Sequence, residues 1–395
     1  MQTPVSQKSG ARLESIDLMR GLVMVVMALD HVRDFFSSYN FEPTDLEKTN
    51  VLLFLTRWIT HYCAPTFMFL AGTSAFLYGN RGRTKGELSR FLWTRGLWLV
   101  VLELTWVRFG WTFNLNFLSA NGGATIWAIG WSMVALAGLV YLPMTAIAAV
   151  GLGMVFLHNT LDGVSPDAFG SLGWFWRILH AGGPFPTWNG GSFSASYPLI
   201  PWIGVMASGY VFGQLYTWPA GRRQKWLLSL GAAMIALFLI LRLPNLYGDA
   251  SRWSPQPNPV FSVFSVLNCT KYPPSLLYLL MTLGPVMCLL CLFERVRTEP
   301  IRPLLVFGRV PMFYYLLHLP LIHGLALLVE SLLGKHDAVK LLAGSSPFTS
   351  LPADYGFSLG VVYFVWVAII CALYLPCRWF MNLKARRRDW WLSYL

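Results

Sequence analysis

Long apolar segments recur along the whole 395-residue chain, and they constrain its fold more than any other feature. A helix needs about 20 mostly apolar residues to cross the hydrocarbon core of a bilayer. Backbone polar groups in lipid must bond within the protein, so each such segment is predicted to be a helix. Ten segments approach this length, at residues 16–36, 57–78, 91–109, 124–141, 143–158, 197–216, 226–243, 274–293, 303–325 and 357–377.

The charge content supports a membrane location. Only 12% of the residues are charged and 55% are hydrophobic, whereas a soluble domain carries about 25% charge. A soluble protein of this length needs a polar surface that this composition does not supply. We therefore predict an all-α, polytopic integral membrane bundle of about ten transmembrane helices, built as one domain over residues 1–395.

The basic residues indicate which side of the membrane each loop occupies. They form clusters in alternate loops, and such clusters stay in the cytoplasm. An even number of spans then places both termini there, as an N-terminal tail (1–14) and a basic C-terminal tail (378–395). This pattern accounts for the net charge of +12 without nucleic-acid binding. The clusters contain Arg81, Arg83, Lys85 and Arg90, then Arg222, Arg223 and Lys225, then Arg295, Arg297 and Arg302, and finally the segment KARRR at 384–388.

The first apolar segment, RGLVMVVMALDHVRDFF at 20–36, carries ionisable residues at both ends. Arg20 and His31 are eleven residues apart, so on a helix they point within roughly 20° of each other and lie about 16 Å apart along the axis. Asp34 follows the histidine by three residues, which favours it as the carboxylate that orients the ring. Asp30 points about 100° away from His31. It is the alternative carboxylate for the ring if packing with a neighbouring helix brings the two groups together.

This arrangement suits a long substrate that is anionic at one end and reactive at the other. An acyl-CoA has nucleotide phosphates for Arg20 and a thioester at the tip of a narrow arm. A base at the position of His31 can activate a hydroxyl or amine for attack on that thioester. The structural alternative is that Arg20 only reaches to the interface, while His31 and Asp34 only end the helix.

Other ionisable residues of the apolar segments are further candidates for the site. Lys271 and Tyr272 precede two prolines at the predicted outer mouth of a span, where they can bind an acceptor or stabilise an oxyanion. His61 is predicted at the depth of His31, as a second acid/base or an acceptor contact. His318, in the outer part of its span, is predicted as a substrate contact. Arg309 lies near the cytoplasmic side, as a second contact for CoA phosphates. The sequence contains no zinc-binding motif and no glycine-rich phosphate loop, so no metal is predicted.

The Arg-x10-His spacing of the first segment resembles the signature of the membrane acyltransferase-3 proteins. The wider sequence is similar to a related bacterial family, named for the catalytic domain of heparan-alpha-glucosaminide N-acetyltransferase. The stretches that carry this resemblance are RLESIDLMRGLVMVVMALDHVRD, HYCAPTFMFLAGTSAFLY, IWAIGWSMVALAGLVYLP, YPLIPWIGVMASGY, KYPPSLLYLLMTLGP and LLVFGRVPMFYYLLHLPLIH.

The resemblance implies a bacterial inner-membrane acyltransferase that moves an acyl group, expected to be acetyl, from cytoplasmic acetyl-CoA. The implied acceptor is a hydroxyl or amine of a sugar or glycan at the outer face. His31 becomes the catalytic residue, attended by Asp34 or Asp30, and Arg20 a contact for the acyl-CoA. The chain departs from the lysosomal branch, whose essential histidine lies in the loop after the first span, because residues 32–60 contain no histidine.

A transporter or flippase for a small solute or sugar is the alternative function. Its polar helix faces line a solute path, and its two halves form a structural repeat. No clear internal repeat is visible in the sequence.

Overall fold

The computed structural model describes residues 14–394, apart from 117–119, 189, 335, 338, 340, 342–350, 353 and 388. Helices form most of the described chain. Their bounds are α1 Glu14–Phe36, α2 Val51–Thr60, α3 Cys63–Gly79, α4 Lys85–Leu102, α5 Arg108–Thr112, α6 Thr125–Leu139, α7 Met144–Leu157, α8 Gly173–Trp176, α9 Leu199–Phe212, α10 Ala220–Arg242, α11 Pro259–Leu267, α12 Leu276–Phe293, α13 Arg302–Arg309, α14 Pro311–Leu333 and α15 Leu359–Arg386.

The predicted helical membrane character is confirmed. A helix of the structure lies in each of the ten predicted segments. By length and composition, five helical segments of the described chain are apolar enough to cross a membrane. The count of ten spans and the cytoplasmic position of both termini stay predictions. The five segments are Met144–Leu161, Ala220–Arg242, Leu276–Phe293, Pro311–Leu333 and Leu359–Arg386.

Two predicted spans are interrupted in the structure. The segment 57–78 divides into α2 and α3 at His61 and Tyr62. The segment 303–325 divides into α13 and α14 at Val310, where Pro311 opens the second helix. Proline has no backbone N–H to donate and its φ suits the first turn of a helix, so it begins a helix more easily than it continues one.

A small sheet lies in the loops between the helices, and the all-α expectation omitted it. Its strands are β1 Ala120–Gly123, β2 Gly183–Pro186 and β3 Ser192–Ala195. The order is β1-β3-β2, with β1 parallel and β2 antiparallel to β3. The sheet joins the segment before α6 to the segment before α9, and part of it reaches the site described below.

Helix α1 is the central helix of the bundle, and it packs against α2, α3, α12, α13, α14 and α15. Its closest approach is to α13, through two glycines. A Cβ atom at Gly21 would overlap the carbonyl oxygen of Leu304, and one at Gly308 would overlap the carbonyl oxygen of Asp17. Small residues let helix backbones approach closely where lipid supplies no hydrophobic driving force. This contact therefore fixes α1 against α13 near the Arg20 end.

Replacing Gly21 by alanine should destabilise this helix pair. The added methyl group has to displace backbone, and overpacking of this kind costs about 1–3 kcal/mol. Gly153→Ala in α7 is the matched control, since a Cβ there meets no atom within 4 Å. The measurement is the thermal unfolding midpoint of both purified variants in detergent. Equal midpoints for Gly21→Ala and wild type would contradict the close packing described here.

Candidate active site

A cavity of about 930 Å³ opens at the C-terminal end of α1. It is bordered by the last turns of α1, the loop that follows it, α2, α5, the end of β3 and the segment before α12. The sequence-predicted residues Asp30, His31, Asp34, Lys271 and Tyr272 all line it. Residues 240 positions apart in the chain are thus brought to one cavity, at the end of α1 that was predicted to face outward.

A chain of hydrogen bonds determines the protonation of the His31 ring. Nδ1 of His318 lies 2.7 Å from the carbonyl oxygen of Tyr315, and a carbonyl only accepts, so Nδ1 of His318 carries the hydrogen. His318 is completely buried, which favours its neutral form. Its Nε2 therefore accepts, and Nδ1 of His31, at 2.7 Å, must donate to it. The Nε2 atom of His31 is left as the basic nitrogen.

The position of the His31 ring is held by aromatic packing. Trp111 meets it in an edge arrangement with ring centroids 4.9 Å apart, and the His318 ring lies edge to edge with it, nearly coplanar at 20°, through the hydrogen bond between them. Trp111 also lines the cavity. A catalytic base needs such restraint, because small misplacements of a reacting group lower the rate strongly.

Asp30 is the centre of an ionic cluster beside His31. Nη1 of Arg57 lies 3.0 Å from both carboxylate oxygens, Nη2 of Arg33 lies 2.7 Å from one of them, and the Thr60 hydroxyl donates at 2.8 Å. Both arginines are buried. Since a buried charge is costly without charged partners, the two arginines and the carboxylate hold one another. The described hydrogen bonds join Asp30 to these groups and not to the ring.

The prediction that Asp34 orients the His31 ring is wrong. Its carboxylate lies 2.7 Å from Nη2 of Arg33, and the ring bonds to His318 instead. The helical period places Asp34 on the correct side. However, a charge-assisted bond to a neighbouring guanidinium is stronger than one to a neutral imidazole. A histidine, and neither of the two carboxylates, therefore attends the catalytic candidate.

Lys271 and Tyr272 form another part of the cavity wall. Lys271 is 9% exposed, and its Nζ lies 5.1 Å from the centroid of the Tyr272 ring. Tyr272 in turn meets Tyr197 edge-on with centroids 5.3 Å apart, and the peptide bond that follows it is cis. A cation and several phenol groups are thereby presented at one side of the space.

The two other histidines predicted to bind substrate take different positions. His318 lies behind His31 and contacts it, so it supports the base and does not face the cavity. His61 is 4% exposed and is not among the lining residues. The break between α2 and α3 places its carbonyl oxygen against the Tyr278 hydroxyl at 2.7 Å. The geometry therefore gives no acceptor contact to His61.

Arg20 and Arg309 lie together at the opposite end of α1. Both reach Asp17, with Nη1 of Arg20 at 3.6 Å and Nε of Arg309 at 3.8 Å. Arg20 also donates to Ser74, and Arg309 to Glu14 at 3.3 Å. Neither lines the cavity. The structure thus brings the two predicted phosphate contacts together, but the cavity ends before it reaches them.

The sequence reasoning missed several residues of the cavity. Arg57 belongs to a predicted span. Because arginine is rare in membrane spans and usually functional there, its position could have identified it as a site residue. Trp111, Tyr197 and Tyr315 resemble ordinary core or interface aromatics, and no pattern distinguishes them. The outer-loop tryptophans at 174, 176, 188 and 253, considered for sugar stacking, do not line the cavity.

The arrangement combines one unprotonated imidazole nitrogen with a balanced set of charges. Three cations and three carboxylates line the space, together with tyrosine and tryptophan rings, and the charged residues are Arg33, Arg57, Lys271, Asp30, Asp34 and Glu42. Such a site can bind a polar, uncharged molecule through hydrogen bonds and ring contacts while a base removes its proton.

A family model described as an acyltransferase domain matches residues 13–375. The match begins just before α1 and ends within α15, so it includes every described element that borders the cavity. It confirms the acyltransferase-3 part of the resemblance. No curated protein matches the chain, and the narrower family resemblance stays a prediction.

Replacing Arg57 by methionine should destabilise the protein substantially. The change leaves the half-buried Asp30 carboxylate with Arg33 but without its second cation, and breaking a buried pair costs up to about 3–5 kcal/mol. Lys48→Met is the control, because Lys48 pairs with Asp45 at 3.4 Å on the surface and exposed pairs contribute little. The thermal unfolding midpoints distinguish the two, and a midpoint for Arg57→Met as high as that of Lys48→Met would refute the ionic cluster.

Proposed function

The chain belongs to the acyltransferase-3 family, and from this premise we propose that it is a membrane acyltransferase that uses His31 as its base. The observation that carries the proposal is the hydrogen-bond chain from the Tyr315 carbonyl through His318 to His31. It leaves Nε2 of His31 able to accept a proton, on a residue that lines the cavity. Packing against Trp111 and the hydrogen bond to His318 hold the ring in place.

The proposed reaction transfers an acyl group, expected to be acetyl, from acyl-CoA to a hydroxyl or amine. Nε2 of His31 takes the proton of the acceptor as its oxygen or nitrogen attacks the thioester carbonyl carbon. The C–S bond then breaks, and the imidazolium returns the proton to the departing CoA thiolate. In an alternative route, Nε2 attacks the thioester carbon and expels the CoA thiolate. The acceptor then attacks the acyl carbon and frees Nε2, while the proton of the acceptor passes to the thiolate.

Lys271 and Tyr272 are proposed to assist at the carbonyl oxygen. Negative charge develops on that oxygen during attack, and a fixed cation or hydroxyl group near it lowers the barrier. Their place in the lining of the same cavity as His31 supports this role. The same two groups can instead bind the acceptor. Both roles require side chains that line the cavity, as these do.

A sugar or glycan is the proposed acceptor. The cavity volume of about 930 Å³ is in the range that holds small-molecule ligands, roughly 300–1,000 Å³. Its rings, from Tyr39, Trp111, Tyr197 and Tyr272, offer faces for a sugar, and its charged groups offer hydrogen bonds for hydroxyls. We place this cavity at the outer face of a bacterial inner membrane, with ten spans and both termini in the cytoplasm.

Acetyl-CoA is the proposed donor, entering from the cytoplasm, with its phosphates bound by Arg20 and Arg309. The shared position of these arginines at Asp17 supports this role. Between them and His31, Val23, Met24, Met27 and Ala28 of α1 are buried. Donor binding therefore requires the helices around this stretch to separate so that the pantetheine arm can reach His31. We further propose that the chain is a member of the bacterial heparan-alpha-glucosaminide N-acetyltransferase-like family.

His31→Ala should abolish acyl transfer, since a positioned base contributes about 10²- to 10⁴-fold to the rate. His61→Ala is the matched control, because His61 is a buried histidine that does not line the cavity. The assay is transfer of radiolabelled acetyl groups from acetyl-CoA by purified protein with membrane glycan extracts as acceptor.

Two outcomes of this assay count against the proposal. Full transfer by His31→Ala would remove His31 from the mechanism. Three results together would favour a transporter over an enzyme. They are solute uptake into liposomes without CoA, no acetyl transfer by the wild type, and no thermal stabilisation of the protein by acetyl-CoA.

Arg20→Ala should weaken acetyl-CoA binding by about tenfold or more, the loss expected when a charged hydrogen bond to a phosphate is removed. Arg297→Ala removes an exposed arginine of a predicted cytoplasmic loop and serves as the control. Isothermal titration of acetyl-CoA into both variants measures the effect. An affinity equal to that of the wild type in Arg20→Ala would reject its role as a phosphate contact.

A further inference from the structure

A second cluster of ionisable side chains lies outside the cavity, where the end of α7 meets the outer loop. It consists of His158, Asp162 and His180, whose ligand atoms all lie within 4.8 Å of one another. Nε2 of His180 is 3.1 Å from a carboxylate oxygen of Asp162, and the two imidazole centroids are 5.8 Å apart. The proposed acyl transfer uses none of these groups.

The two histidines are buried while most of their ring nitrogens have no protein partner. His158 is 1% exposed and His180 is 2% exposed. Among the described residues, neither nitrogen of His158 nor Nδ1 of His180 finds a hydrogen-bond partner. An unsatisfied buried polar atom costs about 1–3 kcal/mol. A ligand that takes the imidazole lone pairs would remove this cost.

We propose that His158, Asp162 and His180 bind a divalent transition-metal ion, with Zn²⁺ as the test probe. Two imidazoles and one carboxylate are ligands that zinc and its neighbours prefer, whereas calcium and magnesium require mainly oxygen. Zinc holds nitrogen and oxygen ligands at about 2.0–2.2 Å, so its ligands lie at most about 4.4 Å apart. The cluster therefore closes on an ion with small side-chain movements.

The carboxylate of this cluster is already oriented by a neighbour. Nδ2 of Asn159 donates to the second oxygen of Asp162 at 2.9 Å, and Oδ1 of the same amide accepts from the backbone N–H of Leu276 at 2.9 Å. Partners of this kind fix the direction of metal ligands and raise metal affinity. The amide also connects the cluster to the first residue of α12.

The position of the cluster indicates a structural role for the ion. His180 directly precedes residues 181–183, which line the cavity, and α12 begins shortly after Lys271 and Tyr272. An ion held here joins the end of α7, the outer loop and the start of α12, and so supports two walls of the cavity from behind. The absence of a zinc motif in the sequence is compatible with this, because the three ligands are 4 and 18 residues apart and come together only through the loop.

Zinc binding by the purified, tag-free protein tests the inference without any assay of activity. The protein is treated with chelator, exchanged into zinc, dialysed and analysed for metal by mass spectrometry. Wild type should retain zinc in stoichiometric amount and show a higher thermal unfolding midpoint with it. His158→Gln, His180→Gln and Asp162→Asn should retain none. Asn159→Ala should lower the affinity about 10- to 100-fold.

His336→Gln is the matched control, because His336 also lies in an outer loop beside carboxylates. Its Nδ1 is 2.5 Å from Glu330 and its Nε2 is 3.1 Å from Asp354, so both nitrogens are occupied and the variant should bind zinc like the wild type. Loss of zinc in this control, equal retention in the three ligand variants, or no zinc in the wild type would each overturn the inference.

Substituting Co²⁺ for zinc keeps the test decisive if a ligand variant does not fold. Wild-type protein should then show the intense visible absorption of cobalt bound to protein ligands at low coordination number. A spectrum of aqueous cobalt alone would reject the site. None of these readouts depends on acyl transfer, so the metal site and the proposed function can fail separately.

Discussion

Ionisable side chains inside an apolar bundle are stable only when paired, and the position of α1 depends on this requirement. Near one end, Asp17 is shared by Arg20 and Arg309, which ties α1 to α13. Near the other, Asp30 is shared by Arg33 and Arg57, which ties α1 to α2. Because each carboxylate needs its partners, α1 is held at both ends, and the groups on its remaining face are held with it.

Because of this pairing, the charged residues of α1 stabilise the site, and the neutral His31 is the residue suited to acid–base chemistry. The carboxylates of α1 are bound to arginines, so the His31 ring bonds to another imidazole. Two neutral rings in series, ended by the Tyr315 carbonyl, give His31 a defined tautomer. In the serine hydrolase triads a carboxylate has the orienting role, whereas here a buried histidine on α14 has it. A neutral partner orients the ring without adding a further negative charge to it.

The cavity has the same dependence on long-range packing. Its floor comes from α1 and α14, and its walls from α2, α5, a short sheet and the segment before α12. The proposed metal cluster stands behind two of those walls and is built from the end of α7 and the loop after it. The cavity end of α1 is therefore held by polar and ionic contacts, while near its other end α1 also packs closely on α13 at Gly21 and Gly308.

The sequence by itself determined the helices, their apolar character and the candidate base, because hydropathy and the 3.6-residue period are local properties. It also placed Arg20 and His31 on one face of α1. Only the tertiary structure decided which partner each ionisable group takes. His31 pairs with His318, 287 residues away, Asp34 pairs with Arg33, and His61 turns away from the cavity. These outcomes depend on which charges compete for one buried carboxylate or imidazole, and that competition arises only when distant helices meet.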